Sequence, residues 1–571
     1  MNRRLLAFLL CAVPGLLLLV LGLVVPAHLR GVDVAVLRKA GQESPALLEQ
    51  GLTLVRQSKL GTAQLLLEAA RQEGIPDGWG LGRALTNAAA QHPAWLVWGG
   101  GDSRLERLFA SDARLPKRGV EPIAEFLVRQ QNRTVALEVL KQSPLPAVQE
   151  LLQCRNLTNT VVFPPSHSSA GQALDSAVAI CGLLLEGGHM SGGLSDAVFT
   201  LAAASNTGAD PQRLEQVLLD LMSLGQRMNW GQLVGFVGPI RDAETLRLLT
   251  IQVRQNEARL PVIYAAVQLS GKPDQVAAYL VEFSRSGLGD LGTSLRYGVG
   301  GVGELLRRHQ RLERGGVSAR LAALPALGPV GAWAAGLCWR SPLGGLMLKW
   351  FLYLAAGFLL AVGLHFARPA ATELERPLQV RGFHVAREVL FALGFLLVVL
   401  LLSEPFLAQE SQRVEFPLRL RLPMVGSAVP AGSPGVTRSI MNQLSLLTLL
   451  LFFVLQSLLY TACLVKLAEI RRQLLAPRIK LRLLENEEHL FDAGLYLGFA
   501  GTIISLILVS LGVIQPSLMA AYSSTSFGIV FVSVFKIFNL RPMRRQLLLE
   551  SESHPIEASG PGAKARVATQ P

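Results

Sequence analysis

The sequence predicts an all-α, polytopic membrane protein with six transmembrane helices and a large, solenoid-like extracytoplasmic helical domain between the first and second spans. Three observations predict this fold class: an apolar composition, six apolar runs of membrane-spanning length, and helical spacing of apolar residues in the segment between the first two runs. The 571-residue chain is 50% hydrophobic, with a mean hydropathy of +0.38. This composition is too apolar for an ordinary soluble enzyme and indicates a membrane protein with a substantial soluble part.

Six apolar runs have about the 20 residues that a helix needs to cross the hydrocarbon core of a bilayer. They cover residues 5–28, 345–367, 387–407, 439–466, 493–514 and 518–540. The first run ends in VVPA at Ala27, which resembles the small-residue site of a cleaved signal peptide. Its apolar stretch is long for a signal peptide, so we expect an uncleaved membrane anchor.

Basic residues predict the orientation of the spans, because Lys and Arg accumulate on the cytoplasmic side. The N-terminal MNRR, the loop 368–387, the loop 467–491 and the segment after residue 540 are all basic. All four segments lie on the cytoplasmic side of the membrane if both termini are cytoplasmic. The loop 408–438 on the other side also contains basic residues, in FPLRLRLP. Residues 31–340 are then extracytoplasmic. Most of the net charge of +13 is attributed to the basic residues that set the orientation of the spans. We therefore expect no nucleic-acid partner.

The segment 31–340 is predicted to fold as a succession of short amphipathic helices. Apolar residues recur there at the i, i+3, i+4 and i+7 spacing that gives a helix one buried face. Three such stripes are Ala63, Leu66, Leu67 and Ala70; Leu214, Val217, Leu218 and Leu221; and Val276, Tyr279, Leu280 and Phe283. Asp210 and Pro211 are predicted to begin a helix, and Gly225, Gly271 and Gly287 to end helices. The domain either presents a partner-binding surface or packs without any ligand of its own.

Little in this segment predicts enzymatic, metal or cofactor chemistry. GVGGVG at 298–303 matches the G-x-G-x-x-G sequence pattern of dinucleotide-binding sites. No predicted strand precedes it, as such a site would require. We therefore expect a loop leading to a helix. Cys154 and Cys181 are compatible with a disulfide bridge and equally with buried free thiols. The histidines lack metal-ligand spacing. We therefore expect no enzyme, no metal and no cofactor.

The last two apolar runs combine glycines with hydroxyl residues. Gly494, Gly498 and Gly501 have the spacing that lets helix backbones approach closely in lipid, and Thr502 and Ser505 share one helix face. The next run carries the hydroxyls of residues 523–526, with Gly528 one turn after Thr525. Helix packing is the more frequent role of such hydroxyls, and an ion or water path is the alternative.

These two runs resemble the MotA/TolQ/ExbB proton-channel family. The penultimate run, Leu497 to Ser505, is similar to the family pattern L-G-L-L-G-T-V-x-G. The last run, Ala521 to Ile529, is similar to A-L-x-x-T-x-x-G-L, and the ending IFNLR resembles the family's exit from the last span. The pattern departs at Ala520, where ExbB and TolQ carry Glu.

The resemblance implies a subunit of a proton-motive-force-driven complex in the bacterial inner membrane. Several copies would form a ring around a helix from an ExbD/TolR/MotB-like single-span partner that carries a membrane Asp. The residues implied to line the ion path are Thr502, Ser505, Ser524 and Thr525. The residues implied in helix packing are Gly494, Gly498, Gly501 and Gly528.

The acidic residues of the chain agree with a carboxylate that comes from a partner. Glu404 lies at a span end and Asp492 precedes its span. Four basic side chains lie near span ends and are expected to extend to the interface: Lys349, His365, Lys466 and Lys536.

The predicted organisation has five parts: a membrane anchor (1–30), the extracytoplasmic domain (31–340), a two-span hairpin with its outer loop (341–438), a three-span channel region (439–545) and a disordered cytoplasmic tail (546–571). The predicted function is a channel-type subunit. The alternative is a non-conducting membrane scaffold whose helical domain binds a protein, and a transporter permease is a weaker third hypothesis.

Overall fold

A computed structural model describes most of the chain, and what it describes is overwhelmingly helical. The described residues are 3–108, 121–156, 161–163, 172–209, 211–367, 383–404, 443–473, 475–510 and 518–553. Contacts divide them into two compact units. The span unit comprises residues 1–30, 320–331 and 341–571, and the helical domain comprises residues 31–319 and 332–340.

The helical domain is a series of short helices. They are α2 (Val34–Gly41), α3 (Leu47–Arg56), α4 (Leu60–Gln72), α5 (Leu81–Gln91), α6 (Pro93–Trp98), α7 (Ser103–Leu108), α8 (Ile123–Val128), α9 (Gln130–Lys141), α10 (Pro146–Gln153), α11 (Gln172–Glu186), α12 (Gly192–Asn206), α13 (Pro211–Gly225), α14 (Trp230–Val237), α15 (Ala243–Gln255), α16 (Leu260–Ser270), α17 (Pro273–Glu282), α18 (Gly287–Leu295) and α19 (Gly298–Arg308). Two further helices, α20 (Val317–Ala322) and α21 (Gly328–Arg340), contribute residues to both units.

The span unit contains the long apolar helices. They are α1 (Arg3–Val24), α22 (Pro342–Ala367), α23 (Phe383–Ser403), α24 (Gln443–Arg472), α25 (Pro477–Asn486), α26 (Glu488–Phe491), α27 (Ala493–Ser510), α28 (Leu518–Phe535) and α29 (Arg541–Ser553). One π-helical turn, Lys536–Leu540, joins α28 to α29.

The apolar stripes predicted for α4, α13 and α17 form the buried faces of these helices. Every residue of the three stripes is buried except Phe283, which follows the end of α17 and is half-buried. Gly271 ends α16 in the left-handed region at φ 58°. Gly287 begins α18 instead of ending a helix, so that prediction was wrong.

One local prediction about the helical domain needs correction. Residues 298–303 are the first turns of α19 and not a loop, because Val302 and Leu305 bury one face of this helix. The described residues are otherwise helical, as predicted, and the exception is one short parallel pairing between Gly31–Asp33 (β1) and Arg311–Glu313 (β2). The pairing joins segments far apart in sequence, and periodicity does not reveal it.

Cys154 and Cys181 are free, buried thiols. The Cys154 thiol donates to the carbonyl oxygen of Glu150 at 3.3 Å. Burial raises the pKa of both thiols to about 12. The bridge between them is therefore not formed in this structure.

Four helices are long and apolar enough to cross a membrane, by length and composition of the described residues. They are Leu5–Val24, Pro342–Phe366, Leu449–Arg472 and Tyr522–Glu552. A shorter apolar helix covers Ala493–Ile503, and α23 occupies the predicted third run. The predicted outer loop 408–438 and the turn near residue 516 lie outside the described residues.

The helices of the span unit extend beyond the apolar runs. α24 continues to Arg472, and α29 covers the first part of the tail that the sequence predicts to be disordered. These helical extensions pack together with α25 and α26 around one apolar core, and this packing explains why they are ordered. The buried members of this core are Cys463, Leu467, Ile470, Leu484, Phe491, Phe535, Met543 and Leu547. The tail after residue 553 lies outside the described residues.

One buried acid in the helical domain predicts a dependence of stability on pH. Asp220 in α13 is 2% exposed, and its Oδ1 accepts a hydrogen bond from Gln216 at 3.1 Å. Burial raises the pKa of Asp220 to about 6, against the opposing effects of Gln216, Arg247 and Arg254. The folded state therefore keeps this proton to a higher pH than the unfolded state. The stabilisation is complete below the unfolded pKa of about 3.9 and is lost as the pH rises through about 6.

We expect Asp220→Asn to raise the free energy of unfolding at about pH 7.5 by about 1–2 kcal/mol. The gain should shrink toward zero at about pH 4. Urea unfolding of the purified chain at both pH values measures it. Asp196→Asn, which changes an exposed acid in α12, is the control and should change stability by less than about 0.5 kcal/mol. A gain independent of pH would contradict the assignment.

Candidate functional site

The candidate site lies where α27 and α28 pack against each other within the span unit. Two glycines allow the close approach. A Cβ atom on Gly498 would lie 2.7 Å from the carbonyl oxygen of Ser524, and a Cβ atom on Gly528 would lie 2.6 Å from the carbonyl oxygen of Gly494. Real side-chain contacts with backbone do not reach such distances, so only glycine fits at these positions.

The predicted hydroxyls meet at this approach and form what we call the hydroxyl cluster: Thr502, Ser524 and Thr525. The oxygen of Thr502 lies 2.9 Å from that of Ser524 and 2.5 Å from that of Thr525. Each of the three hydroxyls also lies within hydrogen-bond distance of the Gly498 carbonyl oxygen, at 3.1, 2.9 and 3.2 Å respectively. The cluster therefore connects the two helices.

The members of the hydroxyl cluster differ in exposure. Ser524 is completely buried, whereas Thr502 and Thr525 are half-buried. A hydroxyl has one donor and two acceptor positions and can rotate. The two threonines can therefore donate to or accept from a group that reaches this edge of the helix pair.

The other predicted site residues are distributed around the cluster. A Cβ atom on Gly501 would lie 2.7 Å from the ring of Phe452, so this glycine packs α27 against α24. Ser526 is exposed and donates back to the carbonyl oxygen of Tyr522 in its own helix. The side chain of Ser505 lies outside the described residues, although its backbone belongs to α27.

Gln456 is a residue of this region that the sequence analysis missed. It lies in α24, is 1% exposed, and donates from Nε2 to the Gly494 carbonyl oxygen at 2.9 Å. Gly494 is also where Gly528 approaches most closely. A lone amide within a long apolar run was the signal, since a polar group in such a helix needs a partner.

A second polar site in the span unit, the charge cluster, comprises Lys349, Glu404 and His28. The side chains of Lys349 and Glu404 are 2% and 0% exposed, and their charged atoms lie 3.2 Å apart. The prediction that Lys349 extends to the interface is therefore wrong. The reason is that α1, α22 and α23 enclose the end of its side chain and supply acceptors there.

Every donor of the Lys349 ammonium group has an acceptor within reach. The group lies 2.7 Å from the Ala27 carbonyl oxygen, 3.4 Å from His28 Nδ1 and 3.2 Å from Glu404 Oε1. The other carboxylate oxygen of Glu404 accepts from the backbone N–H of Leu29 at 2.8 Å. An ammonium group has three donors, so the geometry suits a charged lysine. The cluster links the end of α1 to α22 and α23.

The other basic residues at span ends also have partners. Lys536 lies 2.7 Å from Asp492, and Lys466 lies 3.5 Å from Glu487. His365 Nδ1 lies 3.2 Å from the guanidinium group of Arg387. Among the described residues, no group of three His, Cys, Asp or Glu side chains is arranged to hold a metal ion.

Comparison with protein-family models, with curated proteins and with solved structures gives no match for this chain.

Proposed function

We propose that this chain is a channel-type subunit of a proton-motive-force-driven complex in the bacterial inner membrane. In this proposal both termini are cytoplasmic and residues 31–340 are extracytoplasmic. Several copies surround a single-span partner helix that carries the ion-binding carboxylate. The observation that supports the proposal most directly is the hydroxyl cluster, with Thr502 and Thr525 half-exposed at one edge of a glycine-packed helix pair.

The chemistry of the two threonines suits a carboxylate that changes its protonation state. A carboxylic acid in a low-dielectric site favours its neutral form and then donates one hydrogen bond. After it loses the proton, it only accepts hydrogen bonds. Hydroxyl groups can meet both requirements by rotation, without adding a fixed charge that would trap the ion.

The carboxylate must come from outside the helices that carry the cluster. The apolar stretches of α24, α27 and α28 contain no Asp or Glu, and Asp492 precedes α27. Glu404 is already engaged by Lys349 and the backbone of Leu29. A companion protein with one span and a membrane acid would supply the missing group.

The test is the double substitution Thr502→Val with Thr525→Val. We expect proton flux through the complex, purified from its native membrane and reconstituted in vesicles, to fall at least about tenfold, or about 1.4 kcal/mol. Assembly should persist, because each lost hydroxyl contact contributes only about 0.6 kcal/mol to helix association in membranes. A pH-sensitive dye inside the vesicles reports the flux.

Ser526→Ala is the matched control for this experiment. It removes a hydroxyl from the same helix that is exposed and bonded to its own backbone, so flux should not change. Flux that survives the double substitution would contradict the channel proposal.

A non-conducting membrane scaffold is the second candidate, because one observation favours it. The hydroxyls of the cluster bond to each other and to the Gly498 carbonyl within a single chain, which is what helix packing alone requires. A chain that is monomeric in mild detergent and co-purifies with no single-span acidic protein would favour the scaffold. A ring that retains such a partner would favour the channel.

A further inference from the structure

A cavity of about 480 Å³ opens in the helical domain, within the size range of small-molecule sites. It lies between the turn that precedes α4, the glycine turn after α6, helix α14 and the end of α16. Its lining includes Trp98, Trp230, Val234 and Pro239, together with several glycines. The apolar part of such a lining can bind the apolar body of a ligand, and a few polar groups then fix its orientation.

Asp102 is the only carboxylate among the described residues that lines the cavity. Its oxygens already accept hydrogen bonds from neighbouring groups. Asp102 accepts hydrogen bonds from the backbone N–H groups of Arg104 and Leu105, at 3.0 and 3.1 Å. Its Oδ2 accepts from Trp230 Nε1 at 2.7 Å and lies 3.5 Å from His189 Nε2. Burial alone would raise the pKa of Asp102, but the hydrogen bonds from His189, Trp230 and the two backbone groups hold it well below its usual range.

The remaining charge at the cavity is positive. Lys59 lines the mouth together with Gln57 and Ser58. It is exposed, and it has no ion-pair partner in the part of the chain that the structure describes. Lys59 also precedes α4 without a side-chain cap on that helix, so the partial positive charge of the helix start lies at the same mouth. An anionic group would meet an unmatched cation there.

We propose that this cavity binds a small organic carboxylate. The apolar body of the ligand lies against Trp230, Val234 and Pro239, and its carboxylate lies at Lys59. Asp102 holds His189 and Trp230 in place and does not contact the ligand. The proposal concerns the helical domain alone and does not depend on ion conduction by the span unit.

The experiment uses the full-length chain in detergent, with benzoate as the anionic probe and benzamide as its neutral isostere. Isothermal titration measures binding. We expect saturable binding of benzoate, at least about tenfold tighter than that of benzamide. Lys59→Gln should weaken benzoate binding about tenfold, because a hydrogen bond to a charged group is lost. Lys141→Gln, an exposed lysine of the same domain, is the matched control and should bind benzoate normally.

A second variant tests the location of the ligand. Val234 is half-buried, so Val234→Phe should fill the cavity without unfolding the domain, and it should abolish benzoate binding. Equal binding of benzoate and benzamide, unchanged binding in Lys59→Gln or Val234→Phe, or no saturable binding of benzoate would each overturn the proposal.

Discussion

Replacement of Lys349 by Met should destabilise the span unit by about 3–5 kcal/mol, because it leaves Glu404 as an uncompensated buried charge. The carboxylate of Glu404 is fully enclosed, and among the described residues the N–H of Leu29 is the hydrogen-bond donor that it keeps after the substitution. The Ala27 carbonyl oxygen also loses its donor. Since Ala27 lies three residues after the end of α1, the attachment of α1 to α22 and α23 should be the first contact to weaken.

Unfolding of the purified chain by titration with SDS, followed by circular dichroism, measures this loss. The matched control is Lys480→Met in α25, where the lysine donates to the backbone carbonyl of Arg471 near the surface. Surface substitutions of this kind usually change stability by less than about 0.5 kcal/mol.

The double variant Lys349→Met with Glu404→Gln separates charge from packing. It removes both charges, while the amide oxygen of Gln can still accept from Leu29. We expect it to recover most of the lost stability, because replacing a whole buried pair is often close to neutral. A single Lys349→Met variant as stable as the unmodified protein would mean that water reaches Glu404.

Gly498→Val should separate α27 from α28. The new Cβ atom would lie 2.7 Å from the carbonyl oxygen of Ser524 and 3.1 Å from the Cα atom of Thr525. Both atoms belong to the backbone, so no side-chain rotation relieves the overlap. Overpacking of this kind costs about 1–3 kcal/mol or more, and the contacts of the hydroxyl cluster are lost as well.

Thermal unfolding and limited proteolysis of the purified chain report this separation. Ala500→Val is the control, because Ala500 is an exposed residue of the same helix. The comparison with Thr502→Val and Thr525→Val is informative, since under the proposed function those changes lower ion flux and leave the helices together. A Gly498→Val variant with normal stability would contradict the observed approach.

The sequence predicted the helices of this protein well, because the pattern that predicts a helix lies within the residues of that helix. Apolar residues such as Leu214, Val217 and Leu221 recur with the period of one helix, so the pattern records which face is buried. The apolar runs likewise record which helices are long enough for a membrane. The glycines and hydroxyls of α27 and α28 were also visible, because their spacing lies within single helices.

The sequence could not decide which of these groups meet. Lys349 and Glu404 are 55 residues apart, Lys349 and Ala27 are 322 apart, and Leu29 and Glu404 are 375 apart. In the sequence alone, Lys349 and Glu404 are single charges at the ends of predicted spans. Only the packing of α1, α22 and α23 turns them into a buried pair.

The candidate site shows the same division. The sequence by itself determined that Gly498, Thr502 and Thr525 occupy small-residue and hydroxyl positions on two apolar helices. The tertiary structure decided that these hydroxyls converge on one carbonyl oxygen, that Gln456 reaches Gly494, and that Lys59 lies at the mouth of a cavity. The physical reason is that periodicity fixes the faces of each helix, whereas contacts between faces depend on how distant segments pack.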